Sequence, residues 1–161
     1  MVEYPEVVEV VVEIPRGSRN KYEYDHQRHA ITLDRVLYSS VHYPTDYGFV
    51  PETRAADGDP LDVLVIVEEP TFPGCHVLIR PIGVLLMRDE AGIDEKILGV
   101  PMADPRFEGI RKLEDLGPHW LREIENFFNT YKLLEDKMTE VEGWRDVDEA
   151  HRVLLQYRAS R

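Results

Sequence analysis

Asp57, Asp59 and Asp62 fall within the stretch Asp57-Gly58-Asp59-Pro60-Leu61-Asp62. If its first half runs extended, Asp57 and Asp59 share one face while Gly58 and Pro60 turn the backbone. Three carboxylates then crowd together, each pair repelling by about 1 kcal/mol at ~4 Å in water and by more near a protein surface. Cations or protons must relieve that repulsion. Hard oxygen donors of this kind suit Mg2+, Mn2+ or Ca2+. An acidic surface turn would use the same Asp, Gly and Pro residues, so the stretch alone leaves both readings open. An EF-hand fails here: its sixth loop position needs glycine and holds Asp62, and Leu61 takes a ligand position.

Further acids fall at expected strand ends or loops: Glu13, Glu23, Asp89 and Asp94. Close to them in sequence stand Lys21, Arg35 and Lys96, with the phenols Tyr43 and Tyr47 and the pair Tyr131-Lys132. Singly, each reads as an ordinary solvated side chain. Jointly, they describe a pocket that could hold divalent cations on its carboxylates and a polyanion between those cations and the basic groups. That is the outline of a phosphoryl-transfer site.

The elements that must position these groups are legible in part. Val8, Val10, Val12 and Ile14 alternate with Glu9, Val11 and Glu13, predicting a strand that ends at Pro15-Arg16-Gly17-Ser18. Lys21-Tyr22-Glu23-Tyr24 and Ala30 to Arg35 predict a hairpin around Asp25 to His29, with His26 and His29 as exposed turn residues. Val41 to Ala56 shows no period and reads as an irregular, aromatic connection packed over something. Asp62 to Val67 reads as a buried strand. Val77 to Met87 is apolar, with Pro81 and Gly83 marking a bulge or bend; Arg88 to Asp94 reads as a hairpin loop and Glu95 to Pro101 as the returning strand. Two helices follow. The first begins after Pro118, with Trp120, Leu121, Ile124, Phe127, Phe128 and Tyr131 as its apolar stripe. In the second, Asp146 and Glu149 cap a stripe of Val147, Ala150, Val153, Leu154 and Tyr157.

At 161 residues the chain is expected to form one domain spanning 1–161. Its 19 basic and 31 acidic residues leave a net charge of -12, which repels nucleic-acid phosphates and anionic membranes. Cys75 is the single cysteine, so no internal disulfide forms and a reducing compartment is expected. Met1-Val2-Glu3-Tyr4-Pro5-Glu6 lacks a basic leader pattern, and no apolar run nears the ~18 residues of a membrane span, so a cytoplasmic location is expected.

The ordered pieces resemble family I soluble inorganic pyrophosphatases in their compact bacterial form. They are Val11-Val12-Glu13-Ile14-Pro15, Lys21-Tyr22-Glu23, Leu33-Asp34-Arg35, Tyr43-Pro44 with Tyr47-Gly48, Asp57 to Val63, and Asp89-Glu90-Ala91-Gly92 with Asp94 and Lys96. Phe127-Phe128 with Tyr131-Lys132 and Val141-Glu142-Gly143-Trp144 complete the set. The resemblance implies an α+β fold, mainly β: a five-stranded OB-like barrel with two C-terminal helices packed against it, usually assembled as a homohexamer. It also implies that Asp57, Asp62 and Asp94 hold the tightest metal ion, with Asp62 shared by a second. Asp89 and Asp94 would take a further ion, and Glu13 and Glu23 would act directly or through bound water. Lys21, Arg35, Tyr47, Lys96, Tyr131 and Lys132 match the phosphate-gripping positions, and Asp59 matches the residue against the attacking water. Leu133 departs from the family, which commonly has an acidic residue there.

The expected activity is Mg2+-dependent hydrolysis of pyrophosphate to two orthophosphates by direct attack of a metal-activated water, with Mn2+ or another divalent ion able to substitute. A metal-dependent phosphohydrolase acting on nucleotides is one alternative. A non-catalytic OB-like nucleic-acid module is another, disfavoured by the charge and by the lack of a basic, aromatic-studded groove.

Overall fold

The computed structural model describes residues 3–159. Of the opening stretch read above for a leader pattern, Met1 and Val2 lie outside the described residues. The strands are β1 Val8–Ile14, β2 Asn20–Asp25, β3 Ala30–Val36, β4 Asp46–Phe49, β5 Asp62–Val65, β6 His76–Asp89, β7 Gly92–Pro101 and β8 Glu140–Asp146. The helices are α1 Pro118–Thr130 and α2 Val147–Gln156.

Five strands close on themselves. The sheet runs β1-β4-β5-β7-β6, and β6 returns to pair with β1. Only one contact in this ring, β5 with β7, is parallel. The 14-residue β6 makes closure possible, because its first part pairs with β1 and its later part with β8, with a register shift between Pro81 and Gly83. The expected five-stranded OB-like barrel is therefore present, with β8 added along one edge and the β2–β3 hairpin standing apart as a separate sheet.

Strand alternation divides the interior into two cores. Leu64 of β5 and Leu98 of β7 join Ile124, Phe127 and Phe128 of α1. Their neighbours Val63, Val65 and Ile97 turn the other way and join Ala150, Val153 and Leu154 of α2. In β1 only Glu9 is exposed and only Glu13 half-buried, so the strand is apolar on both faces rather than one.

Three expectations need correction. The Val41 to Ala56 connection contains β4, whose pairing with β1 and β5 is non-local and leaves no period in four residues. Inside it, Asp46 is fully buried and accepts hydrogen bonds from Arg16 N, Thr71 N and Thr71 Oγ1, so its carboxylate is satisfied. The hairpin loop after Arg88 is shorter than expected, since β7 resumes at Gly92 and takes Asp94 into the strand. Third, Asp146 caps α2 by accepting from Val147 N, while Glu149 pairs with Arg152 instead of completing a capping box. The strand β8 was not anticipated: its pattern leaves no residue fully buried, so it carries little period-two signal. No helix among the described residues is long and apolar enough to cross a membrane.

Gly48 shows how tightly the ring is drawn. A Cβ there would lie 2.1 Å from Val11 O, a backbone atom that cannot rotate aside. Gly48→Ala is therefore expected to destabilise the fold by about 1–3 kcal/mol, read as a lower denaturant midpoint at unchanged slope.

Candidate active site

Register alone assembles the centre of the cleft. On β4, β5 and β7, Tyr47, Asp62, Asp94 and Lys96 lie on the α1 side of the barrel, and the parallel β5–β7 pairing sets Asp62 opposite Lys96. Asp94, two residues before Lys96, shares its face. On the far side of β7, Leu85 and Met87 pair with Lys96 and Asp94 and are themselves buried.

The Lys96 side chain is 4 % exposed. Its Nζ lies 2.8 Å from Tyr47 Oη, 3.0 Å from Asp62 Oδ2 and 2.9 Å from Asp94 Oδ2. Three ammonium protons thus meet three oxygen acceptors. Burial by itself would favour the neutral amine, but Asp62, Tyr47 and Asp94 together outweigh it and keep the ammonium charged. The Asp94 carboxyl is pushed up from its ordinary range by burial, with Lys96 opposing and Asp62 reinforcing. Tyr47 is pushed far up by burial and by Asp62, and Tyr131 up to about 12 by burial, so both phenols remain protonated donors.

The β2–β3 hairpin is fastened over this centre through Glu13, whose Oε2 accepts the Tyr24 N–H at 2.8 Å. Burial raises the Glu13 carboxyl to about 7, against the Tyr24 hydrogen bond and with a further push from Asp62. Across the hairpin Lys21 pairs with Arg35, and Asp34 lies between the two like charges, 3.2 Å from Lys21 Nζ and 2.7 Å from Arg35 Nη1.

The Asp57 stretch is a tight loop closed at its base. Thr53 Oγ1 donates to Val50 O at 2.6 Å and accepts from Leu61 N at 2.9 Å. At the tip, Gly58 has φ +90 and Asp57 Oδ1 accepts from Asp59 N at 3.0 Å. At another edge, Asp89 Oδ1 accepts from Ala91 N at 2.8 Å in the β6–β7 turn. The end of α1 brings Tyr131, stacked on Phe127 at 5.1 Å, with Lys132 beside it.

One cavity of about 260 Å3 collects nearly all the nominated residues: Glu13, Lys21, Glu23, Tyr47, Asp57, Asp59, Asp62, Asp89, Asp94, Lys96, Tyr131 and Lys132 line it. Arg35 does not. Its Nε is 2.8 Å from Glu135 Oε1, off the line a hydrogen bond needs, and its Nη2 is buried without a partner. Tyr43 is core, 1 % exposed against Phe127. Sequence reasoning passed over Tyr24 and Phe49 as cleft residues; His26 is exposed as expected of a turn residue, and it too lines the cleft. His26 packs its ring against Tyr24 at 4.7 Å and Phe49 at 5.2 Å. Spacing holds no signal for that contact, because Phe49 comes from another sheet. Asp34 and Glu135 were also missed as partners of Arg35.

Do these residues suit a divalent cation? The donors are hard carboxylate oxygens; burial is the main cause that raises the Glu13 and Asp94 carboxyls, and the neighbouring Asp62 charge adds to both. Among the described residues no three carboxylates already converge on one point. Where Asp62 and Asp94 meet, the Lys96 ammonium holds them together. The donor set fits.

A closed barrel thus carries a cleft in which carboxylates face basic residues, an arrangement suited to phosphoryl transfer. The family model described as inorganic pyrophosphatase matches residues 10–160. An inorganic pyrophosphatase of Nostoc sp. is 55% identical over 152 residues, covering 94% of this chain and 90% of its own. One from Methanosarcina mazei is 54% identical, covering 91% and 87%. The crystal structure of inorganic pyrophosphatase from Thermus thermophilus superposes with a TM-score of 0.93 at 47% identity, covering 96% of this chain and 91% of that one. The chain belongs to the inorganic pyrophosphatase family, a family of metal-dependent hydrolases.

Lys96→Met leaves Asp62 and Asp94 facing each other without their shared cation. The metal-free variant is expected to lose about 3–5 kcal/mol of stability, as breaking a buried ion pair does, measured by equilibrium denaturation in chelator.

Proposed function

We propose that this chain works as one domain and that Asp59 is the proton acceptor in pyrophosphate hydrolysis, with Mg2+ as the ion bound by its carboxylates. The reaction is the hydrolysis of inorganic pyrophosphate by water to two orthophosphates. The observation that carries the reading is the single cleft in which Asp57, Asp59, Asp62, Asp89 and Asp94 face Lys21, Lys96, Tyr131 and Lys132.

Asp57, Asp62 and Asp94 would hold the tightest ion, Asp62 and Asp89 contributing to others, with Glu13 and Glu23 at the hairpin side. When bound, such ions acidify coordinated water and offset the charge of the substrate phosphates. The protein's own groups do the rest. Asp59 stands on the exposed loop tip and lines the cleft, where it can take a proton from the attacking water. Lys21 and Lys132 supply positive charge to the phosphates, and Tyr47 and Tyr131 supply hydroxyl protons that their raised pKa values keep in place. Arg35 joins these grips after leaving part of its contact with Asp34 and Glu135. Since water is the nucleophile, no covalent enzyme intermediate is needed. A homohexamer and a cytoplasmic location accompany this reading through kinship with the compact bacterial form, and sedimentation of the purified protein tests the first.

Asp59→Asn is expected to bind Mg2+ as the parent does while kcat falls by about 10²–10⁴-fold. Near-parental kcat would remove Asp59 as the proton acceptor. Phosphate release from pyrophosphate and ATP in parallel, each with Mg2+ or chelator, tests the substrate: release from pyrophosphate with Mg2+ alone supports the reading, and preference for ATP contradicts it.

A further inference from the structure

Tyr157 closes α2 on the side of the barrel away from the cleft, and it holds two different segments with its two ends. Its carbonyl accepts the Arg54 N–H at 2.8 Å, at the base of the loop that carries Asp57. Its hydroxyl donates to Glu95 Oε1 at 2.7 Å, on the strand position between Asp94 and Lys96. The chain beyond it continues the fastening, with a β-bridge between Thr53 and Arg158 and a hydrogen bond from Ala159 N to Glu52 O at 2.8 Å.

Ala55, Asp57, Asp94, Glu95 and Tyr157 surround a gap of about 10 Å3, which puts the ring in the angle between the two acid-bearing segments. A space of that size takes one water at most. Glu95 Oε2 is buried there without a partner, so the phenol supplies the hydrogen bond that Glu95 does have. A hydrogen bond to a charged acceptor is among the stronger ones, and this one spans 62 positions of chain.

We propose that Tyr157 is a positioning residue that sets the separation of Asp57 from Asp94 and thereby the affinity for the tightest divalent cation. The inference rests on the reading that those two carboxylates share an ion. Tyr157 is not part of the cleft lining. It acts through Glu95, which fixes the pleat of β7 so that Asp94 faces the cleft, and through Arg54, which fixes the entry to the Asp57 loop. Partners in this outer position typically change metal affinity by about 10–100-fold when removed.

The test is calorimetric titration of the metal-free full chain with Mg2+. Tyr157→Phe keeps the ring and the carbonyl and loses only the hydroxyl; it is expected to weaken Mg2+ binding about tenfold, while kcat at saturating Mg2+ stays within about twofold. Tyr4→Phe is the control, because it removes a hydroxyl bond to Leu154 O on the same helix without touching either acid-bearing segment, and it is expected to leave Mg2+ affinity unchanged. Glu95→Ala should reproduce the loss from the other partner and Glu95→Gln should restore most of it, which keeps the proposal testable if Tyr157→Phe fails to fold. Parental Mg2+ affinity in Tyr157→Phe and Glu95→Ala, or equal weakening in Tyr4→Phe, overturns the proposal. Asp57→Asn separates the two ideas: if it leaves Mg2+ affinity unchanged, the metal reading itself falls, whereas a large loss there with none in Tyr157→Phe removes only the role of Tyr157.

Discussion

A buried ammonium between two carboxylates is the interaction on which the rest of this structure depends. Lys96 lies within 3.0 Å of both Asp62 and Asp94, and these two, with Tyr47, hold its charge against burial. The dependence is mutual. Without Lys96, two acids on neighbouring strands would repel in a partly desolvated place, and the strand pairing that aligns them would carry that strain.

The barrel makes this arrangement possible. A parallel β5–β7 contact sets Asp62 beside Lys96 without a turn between them, and ring closure through β6 fixes the spacing. Around that fixed centre the other groups are brought by less regular elements: a hairpin fastened through Glu13 to Tyr24, a loop knotted by Thr53, and the end of α1. Rigid strands hold Asp62 and Asp94, while one exposed loop tip carries Asp57 and Asp59. A protein of net charge -12 can then receive an anion, because the repulsion is offset locally before the anion arrives.

Much of this was legible from residue order. The β1 strand itself, the hairpin around Asp25 to His29, the Pro81–Gly83 irregularity and the two apolar helix stripes each follow from local rules and each is present, although β1 buries Val11 on its second face as well. What stayed hidden shares a cause. The strand β4 is four residues long and is held by partners far away in sequence, and β8 is a half-exposed strand whose pairing with β6 no periodicity announces. The same holds within the cleft: the carboxylates and bases were recognisable as types, and resemblance supplied their roles. The withdrawal of Arg35 onto Asp34 and Glu135, and the placing of His26 against Phe49, depend on tertiary contacts between separate elements.

The central claim is that the anion is admitted by cations seated on the acidic cleft. Calorimetric binding of imidodiphosphate, a non-hydrolysable stand-in for pyrophosphate, measured with Mg2+ and again in chelator, tests it most directly. The account predicts binding with Mg2+ that disappears in chelator. Equal affinity under both conditions would contradict it.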